Sequence, residues 1–368
     1  MPRAPRAIAK SCLCCAEPGT AGAGPSRRAF LATGVAAATA GTLGAFGAVS
    51  SALAQATPAA DVKSRRIIDV HHHIAPPGYL AETRTRQNPP TIGWSVAKSI
   101  DDMDKAGVAT SITSITTPGV WFGDAAQARR LARECNDYAA RLVQDHPGRF
   151  GVFASLPLPD VDASLREIEY VFDTLKADGV GLLTSFGDKW LGDPAFDPVM
   201  DELNRRKAVV YTHPTTANCC RNLVPDIQPA MIEYGTDTTR AIASIVFRGT
   251  VKRCPDITFV FSHAGGTMPF LIERFTRLFT PQMLENTGGG VEVALKRFYY
   301  DIAQASHRIP LGALVQMVST SRIVFGTDFP FRTAADHEQG LINFGFNESE
   351  LSAINRDNAL QFLPRFKA

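Results

Sequence analysis

Eight short runs rich in β-branched and aromatic residues punctuate the chain after residue 65, and several of the intervals between them carry apolar residues at helical spacing. The runs are 66–72, 110–116, 150–156, 180–183, 209–212, 257–262, 298–301 and 322–326, with helical patterns over 126–144, 161–177, 198–206 and 239–253. Such alternation predicts parallel strands joined by crossover helices. Eight strand and helix units in roughly 310 residues fit a single α/β domain, a (β/α)8 TIM-type barrel over 57–368. A doubly wound open sheet is the rival arrangement. No Gly-x-Gly-x-x-Gly follows the first run, which counts against its dinucleotide-binding form. No internal repeat or linker divides this stretch.

Composition narrows the function classes. With 45% hydrophobic and 20% charged residues, the chain has the apolar content of a folded globular protein rather than a disordered one. The net charge of +2 is uneven: Arg3, Arg6, Lys10, Arg27 and Arg28 against Glu17 give residues 1–56 a local +4 and leave the remainder at −2. A near-neutral body lacks the basic footprint of a nucleic-acid binder, so a small molecule is the expected partner. Residues 1–56 read as a targeting peptide. Ser26-Arg27-Arg28-Ala29-Phe30-Leu31 leads into an uncharged Ala- and Gly-rich stretch ending Ala52-Leu53-Ala54-Gln55-Ala56, which resembles a twin-arginine signal with small-residue cleavage sites. The expectation is export to the periplasm with cleavage, and no membrane span in the mature chain. An uncleaved anchor is the alternative, because the uncharged run is long enough to span a bilayer. Cys12, Cys14 and Cys15 fall in this leader, while Cys135, Cys219, Cys220 and Cys254 fall in the mature chain without metal-site spacing and read as structural thiols.

The chemistry-bearing residues gather at the ends of the predicted strands. The first run ends Ile68-Asp69-Val70-His71-His72-His73, and alternate side chains of a strand share a face, so His71 and His73 point into the barrel mouth while His72 points away. A surface histidine run that scavenges metal is the bland alternative, and the buried-strand pattern counts against it. Three more strand ends supply His213, His263 and Asp328. The C-terminal ends of barrel strands converge on one mouth, and three imidazoles with a carboxylate are suitable zinc ligands. His307 is placed near the mouth, His146 and His337 read as surface residues, and Trp121, Phe122 and Phe329 are candidates for an aromatic pocket or for core.

Asp69-x-His71-x-His73, Thr212-His213-Pro214, His263-x-Gly265-Gly266-x-x-Pro269-Phe270 and Gly326-Thr327-Asp328-x-Pro330-Phe331, in that order, resemble the amidohydrolase superfamily, specifically its aminocarboxymuconate-semialdehyde decarboxylase-like branch. The resemblance spans 66–365 and implies that His71, His73, His213 and Asp328 bind a metal, with His263 and Asp328 catalytic. The superfamily's bridging carboxylated lysine has no counterpart at a strand end. One divalent ion is therefore implied, zinc with manganese as its rival. Segments 189–194, 204–211 and 233–240 look most like methylsalicylate decarboxylase-type proteins. The likeness casts Trp190 and Arg274 as substrate-binding residues, the arginine reaching a neighbouring subunit's substrate in a homodimer. The branch's other substrate-carboxylate arginine has no clear match among Arg84, Arg86 and the residues after them, so an aromatic acid fits better than aminocarboxymuconate semialdehyde. The implied activity is metal-dependent, non-oxidative decarboxylation of a small salicylate-like carboxylic acid. The alternative is a hydrolase of a lactone or amide built on the same mononuclear site.

Overall fold

Each of the eight runs holds a strand of one parallel sheet in the computed structural model, which describes residues 66–367. The targeting peptide expected at 1–56, with its three cysteines, lies outside the described residues. The strands are β1 (Ile67–His73), β2 (Val108–Ser114), β3 (Phe150–Ser155), β4 (Gly179–Leu183), β5 (Val209–His213), β6 (Thr258–Phe261), β7 (Tyr299–Asp301) and β8 (Ile323–Val324). They pair in chain order, every pairing parallel. No regular ladder joins β8 to β1. Instead Val70 N–H donates to Phe325 O, His73 N–H to Phe329 O and Asp328 N–H to His71 O, at 2.8–3.0 Å, closing the sheet into a barrel. The open-sheet alternative is thereby excluded.

Two layers of apolar side chains account for the fold. Ile68, Val70, Ile112, Phe153, Tyr211 and Val260 fill the barrel interior, and Leu363 and Phe366 of the C-terminal turns pack into the same cluster. A larger cluster between strands and helices contains Phe150, Ile168, Leu203, Ile242 and Leu314, each fully buried. Burying side chains of this kind stabilises by about 1.5–3 kcal/mol apiece. The helix Ala125–Asp145 buries Ala128, Leu131, Ala132, Cys135, Ala139 and Leu142 at helical spacing and starts where the Asp124 side chain accepts from Gln127 N–H.

Two helices depart from the pattern read in the sequence. The segment expected over 161–177 ends at Asp173, and the one expected over 239–253 is two helices, Ala230–Phe247 and Thr250–Arg253, broken at 248–249. The last turn of an amphipathic pattern carries no signal of its own when neighbouring turns continue the periodicity.

Candidate metal centre

A bulge in β1 aims the histidines. Ile68 pairs with Thr110 and Asp69 with Ser111, but His72 pairs with Thr113, so β1 fits one more residue than β2 between those rungs. The inserted residue reverses the alternation. Ile68 and Val70 face the barrel interior, and His71 and His73, of opposite parity, also turn inward at the mouth. Asp69 pins this bulge to the segment after β8: its Oδ1 accepts from His71 N–H (3.0 Å) and Thr327 N–H (3.1 Å), and its Oδ2 accepts from Thr327 Oγ1 (2.8 Å) and His72 Nδ1 (3.0 Å). His72 points away, stacked on Phe329 at 4.6 Å and bonded through Nε2 to Ser99 Oγ.

His71, His73, His213 and Asp328 are buried and converge, their ligand atoms all within 4.8 Å of one another. His71 Nδ1–H donates to Asp301 Oδ2 at 2.9 Å, His213 Nδ1–H donates to Pro214 O at 2.8 Å, and His73 directs Nδ1 at Ser114 Oγ, 3.3 Å away. Anchoring Nδ1 leaves Nε2 as the position where a metal ion, or an extra proton, must sit. Asp328 Oδ1 lies 3.0 Å from His73 Nε2 and 3.2 Å from His71 Nε2, yet this buried oxygen makes no hydrogen bond. Three imidazole nitrogens and an unpartnered carboxylate oxygen fit one divalent ion.

Electrostatics agree with that assignment. Burial would push His71 down, but the carboxylates of Asp301 and Asp328 prevail and hold it at about 10. Burial, reinforced by the neighbouring imidazoles, takes His73 down to about 3 and His213 to about 4. Burial alone would raise Asp328, but the charge of His71 and the neighbouring imidazoles of His213 and His263 hold it well below the carboxylate range.

His263 stands beside the cluster rather than in it. Its Nε2 lies 3.4 Å from Asp328 Oδ2, and its backbone N–H donates to Asp301 Oδ1 at 2.8 Å. His263 and Ala264 both adopt left-handed φ values, 53° and 56°, a combination sustained only where the surroundings over-determine it. Gly266 follows in the same region, where a Cβ would sit 2.0 Å from Gly235 O, so the turn demands glycine there. A pocket opens beside His213, walled by Ser114, Ile115, Val120, Leu183, Phe186 and Tyr211 among others, with no Lys or Arg in its lining.

The other expectations divide. Trp190 sits half-buried in a short hairpin after β4 and donates its indole N–H to Asp237 Oδ1 at 2.7 Å, and Arg274 is exposed on the helix Met268–Arg277; neither lines the cavity. His307 is exposed and caps the helix Arg308–Met317, and His146 is half-buried against Phe150. Trp121 and Phe122 pack against a side cluster with Tyr79 and Leu131, the core role rather than the pocket one. Cys135, Cys219, Cys220 and Cys254 are free thiols, and all but Cys219 are buried. His337 is wholly buried, not a surface residue. Its helix sequence, Ala-Ala-Asp-His-Glu-Gln, looks solvent-facing, and only the chain folding over it shows otherwise. Asp301, which bonds His71, and Gln304, which bonds Asp328 and is itself held by His337, were missed in sequence. Asp301 alone had a signal, as the polar residue ending an apolar strand run.

Known proteins share this architecture. The amidohydrolase family model matches residues 68–365. A decarboxylase of Aspergillus niger, YanB, is 36% identical over 82% of this chain and 88% of its own length. The 6-methylsalicylic acid decarboxylase of Penicillium expansum is 35% identical over 82% and 97%. Among solved structures, a dihydroxybenzoic acid decarboxylase from a Polaromonas species, with manganese and 2-nitroresorcinol bound, superposes with a TM-score of 0.71 at 19% identity, covering 82% of this chain and 98% of its own. The chain belongs to the amidohydrolase family.

Proposed function

We propose that the protein is a carboxy-lyase that removes the carboxyl group of a small salicylate-like aromatic acid without oxidation, using one divalent ion held by His71, His73, His213 and Asp328. The observation that carries this reading is the buried donor set of three Nε2 atoms and an unpartnered Asp328 Oδ1, beside a cavity with largely apolar walls. The bound ion supplies a Lewis acid that draws charge from the substrate carboxylate and an ortho hydroxyl. Zinc and manganese both suit the ligands, and the manganese of the Polaromonas enzyme favours testing that ion first.

Decarboxylation requires a proton at the ring carbon that bears the carboxylate. Asp328 is held ionised and its Oδ2 already accepts hydrogen bonds, so His263, 3.4 Å away, is the proton carrier. When His263 Nε2 protonates that carbon, the electrons of the breaking carbon–carbon bond restore the aromatic ring and carbon dioxide departs. The pocket lining holds no Lys or Arg, and Ile115, Val120, Leu183 and Phe186 suit an apolar ring. Trp190, bonded to Asp237 away from the cavity, takes no substrate role in this reading, and Arg274, exposed beside exposed Phe270 and Leu278, is offered to a second copy in a homodimer.

The test is carbon dioxide release by the purified protein, loaded with manganese or zinc, on 6-methylsalicylate and a panel of hydroxybenzoates. Release with loss of the acid is expected. No release across the panel, with oxygen-18 from water entering the product of a lactone or amide, would overturn the proposal in favour of hydrolysis.

A further inference from the structure

We infer that Gln304 and His337 are positioning residues that clamp Asp328 Oδ2, so that only Oδ1 is offered to the ion. The clamp has three links. His337 Nδ1–H donates to Thr333 O at 2.9 Å within its own helix, which commits the ring's Nε2 lone pair to the backbone N–H of Gln304, 3.0 Å away. Gln304, held there with a left-handed φ of 54°, donates its side-chain amide to Asp328 Oδ2 at 3.0 Å. The two oxygens of Asp328 are thereby made unequal: Oδ2 takes Gln304 and faces His263, and Oδ1, though buried, has no hydrogen-bond partner.

The surroundings hold the His337 end of the clamp, while Gln304 itself is exposed. His337 is fully buried, and burial pushes its imidazole below the usual range, so it stays neutral and keeps the accepting lone pair. Its helix, Ala334–Phe344, lies close to the turn after β7 because residue 340 is glycine; a Cβ there would come within 2.6 Å of Ser306 O. The same turn is tied to Asp301, whose Oδ1 accepts from Ala303 N–H and from His263 N–H while its Oδ2 accepts from His71. One short segment therefore orients a histidine of the cluster, the proton carrier and the carboxylate. Without the amide, Asp328 is free to rotate and present Oδ2, and its hold on the ion weakens. Partners of metal ligands typically contribute about 10- to 100-fold in metal affinity or activity.

The inference rests on the metal-dependent reading above, but its test reads the ion without substrate. Cobalt(II) is titrated into the chelator-treated protein in competition with a chromophoric chelator, and the visible ligand-field spectrum is recorded for the wild type, Gln304→Leu, His337→Phe and His337→Gln. Gln304→Leu and His337→Phe should each bind cobalt about 10- to 100-fold more weakly with an altered spectrum. The double variant should be no worse than either alone, as for residues acting as one unit. His337→Gln, which keeps an acceptor, should recover part of the loss, and kcat should fall more than KM changes. Wild-type affinity and spectrum in Gln304→Leu would overturn the inference, as would a loss in His337→Phe that the double variant adds to. Should His337→Phe not fold, Gln304→Leu and Gln304→Ala decide, both expected to bind cobalt about 10- to 100-fold more weakly because neither side chain donates to Asp328 Oδ2. A wild type that shows these cobalt shifts but releases no carbon dioxide would overturn the proposed function while supporting the clamp.

Discussion

Asp301 Oδ2 accepts the Nδ1 proton of His71 at 2.9 Å, with both side chains fully excluded from solvent. This pair joins the end of β7 to β1 in one contact and fixes which nitrogen of His71 faces the cluster. Burial would raise Asp301, but the charge and hydrogen bond of His71 keep it below the ordinary carboxylate value. Asp301→Asn keeps the shape and removes the charge, so metal affinity should fall about 10- to 100-fold, measured by chelator competition with folding checked by circular dichroism. Unchanged affinity would show that His71 needs no carboxylate behind it.

The metal-free centre should make stability peak near pH 6.5. His71 is raised from 6.5 to about 10, so its contribution is complete below pH 6.5 and lost as pH rises toward 10. His73 and His213 are lowered to about 3 and about 4, so below pH 6.5 the unfolded chain gains protons that the folded one refuses, and stability falls on that side too. Thermal midpoints in the presence of a chelator, from pH 4 to 10, should trace this dome. Metal binding displaces the His71 proton, so affinity should climb with pH between about 6.5 and 10. A pH-independent affinity across that interval would contradict the arrangement.

His263→Gln should retain the ion and lose turnover. General acid catalysis contributes typically about 10²–10⁴-fold, and carbon dioxide release should drop by that order at unchanged metal content. Equal turnover in the variant would move the proton to another group.

Asp69 accepts four hydrogen bonds from β1 and the segment after β8 with almost no exposure. Asp69→Ala strands those donors in the barrel wall and should destabilise by on the order of 3 kcal/mol, read as a lower urea midpoint. A midpoint equal to wild type would mean water replaces the carboxylate.

We propose that residues 1–56 act as a twin-arginine signal, in which case Arg27→Lys together with Arg28→Lys should hold the full-length chain inside the cytoplasm, while the wild type should appear shortened in the periplasmic fraction. Equal distribution in both would remove the twin-arginine reading.

Much of the architecture was legible because its signals are local. A buried parallel strand needs a run of β-branched and aromatic residues, and 150–156 or 209–212 announce that within a few positions. The site was legible at its strand ends for the same reason, since a histidine or aspartate closing an apolar run has few structural duties to explain it. The helix break at 248–249 was not, because 239–253 continues one periodicity through it. Local patterning along the chain sufficed to place His71, His73, His213, His263 and Asp328 at strand ends that meet in one mouth. How those groups are oriented toward one another came from the packing of distant segments. The β1 bulge depends on pairing with β2, His71 takes its proton partner from a residue 230 positions away, and Asp328 is steadied by Gln304 over a histidine that looks like surface until its helix is packed. Hydrogen bonds between distant segments leave no periodicity along the chain, and closing the barrel is what brings their donors and acceptors together.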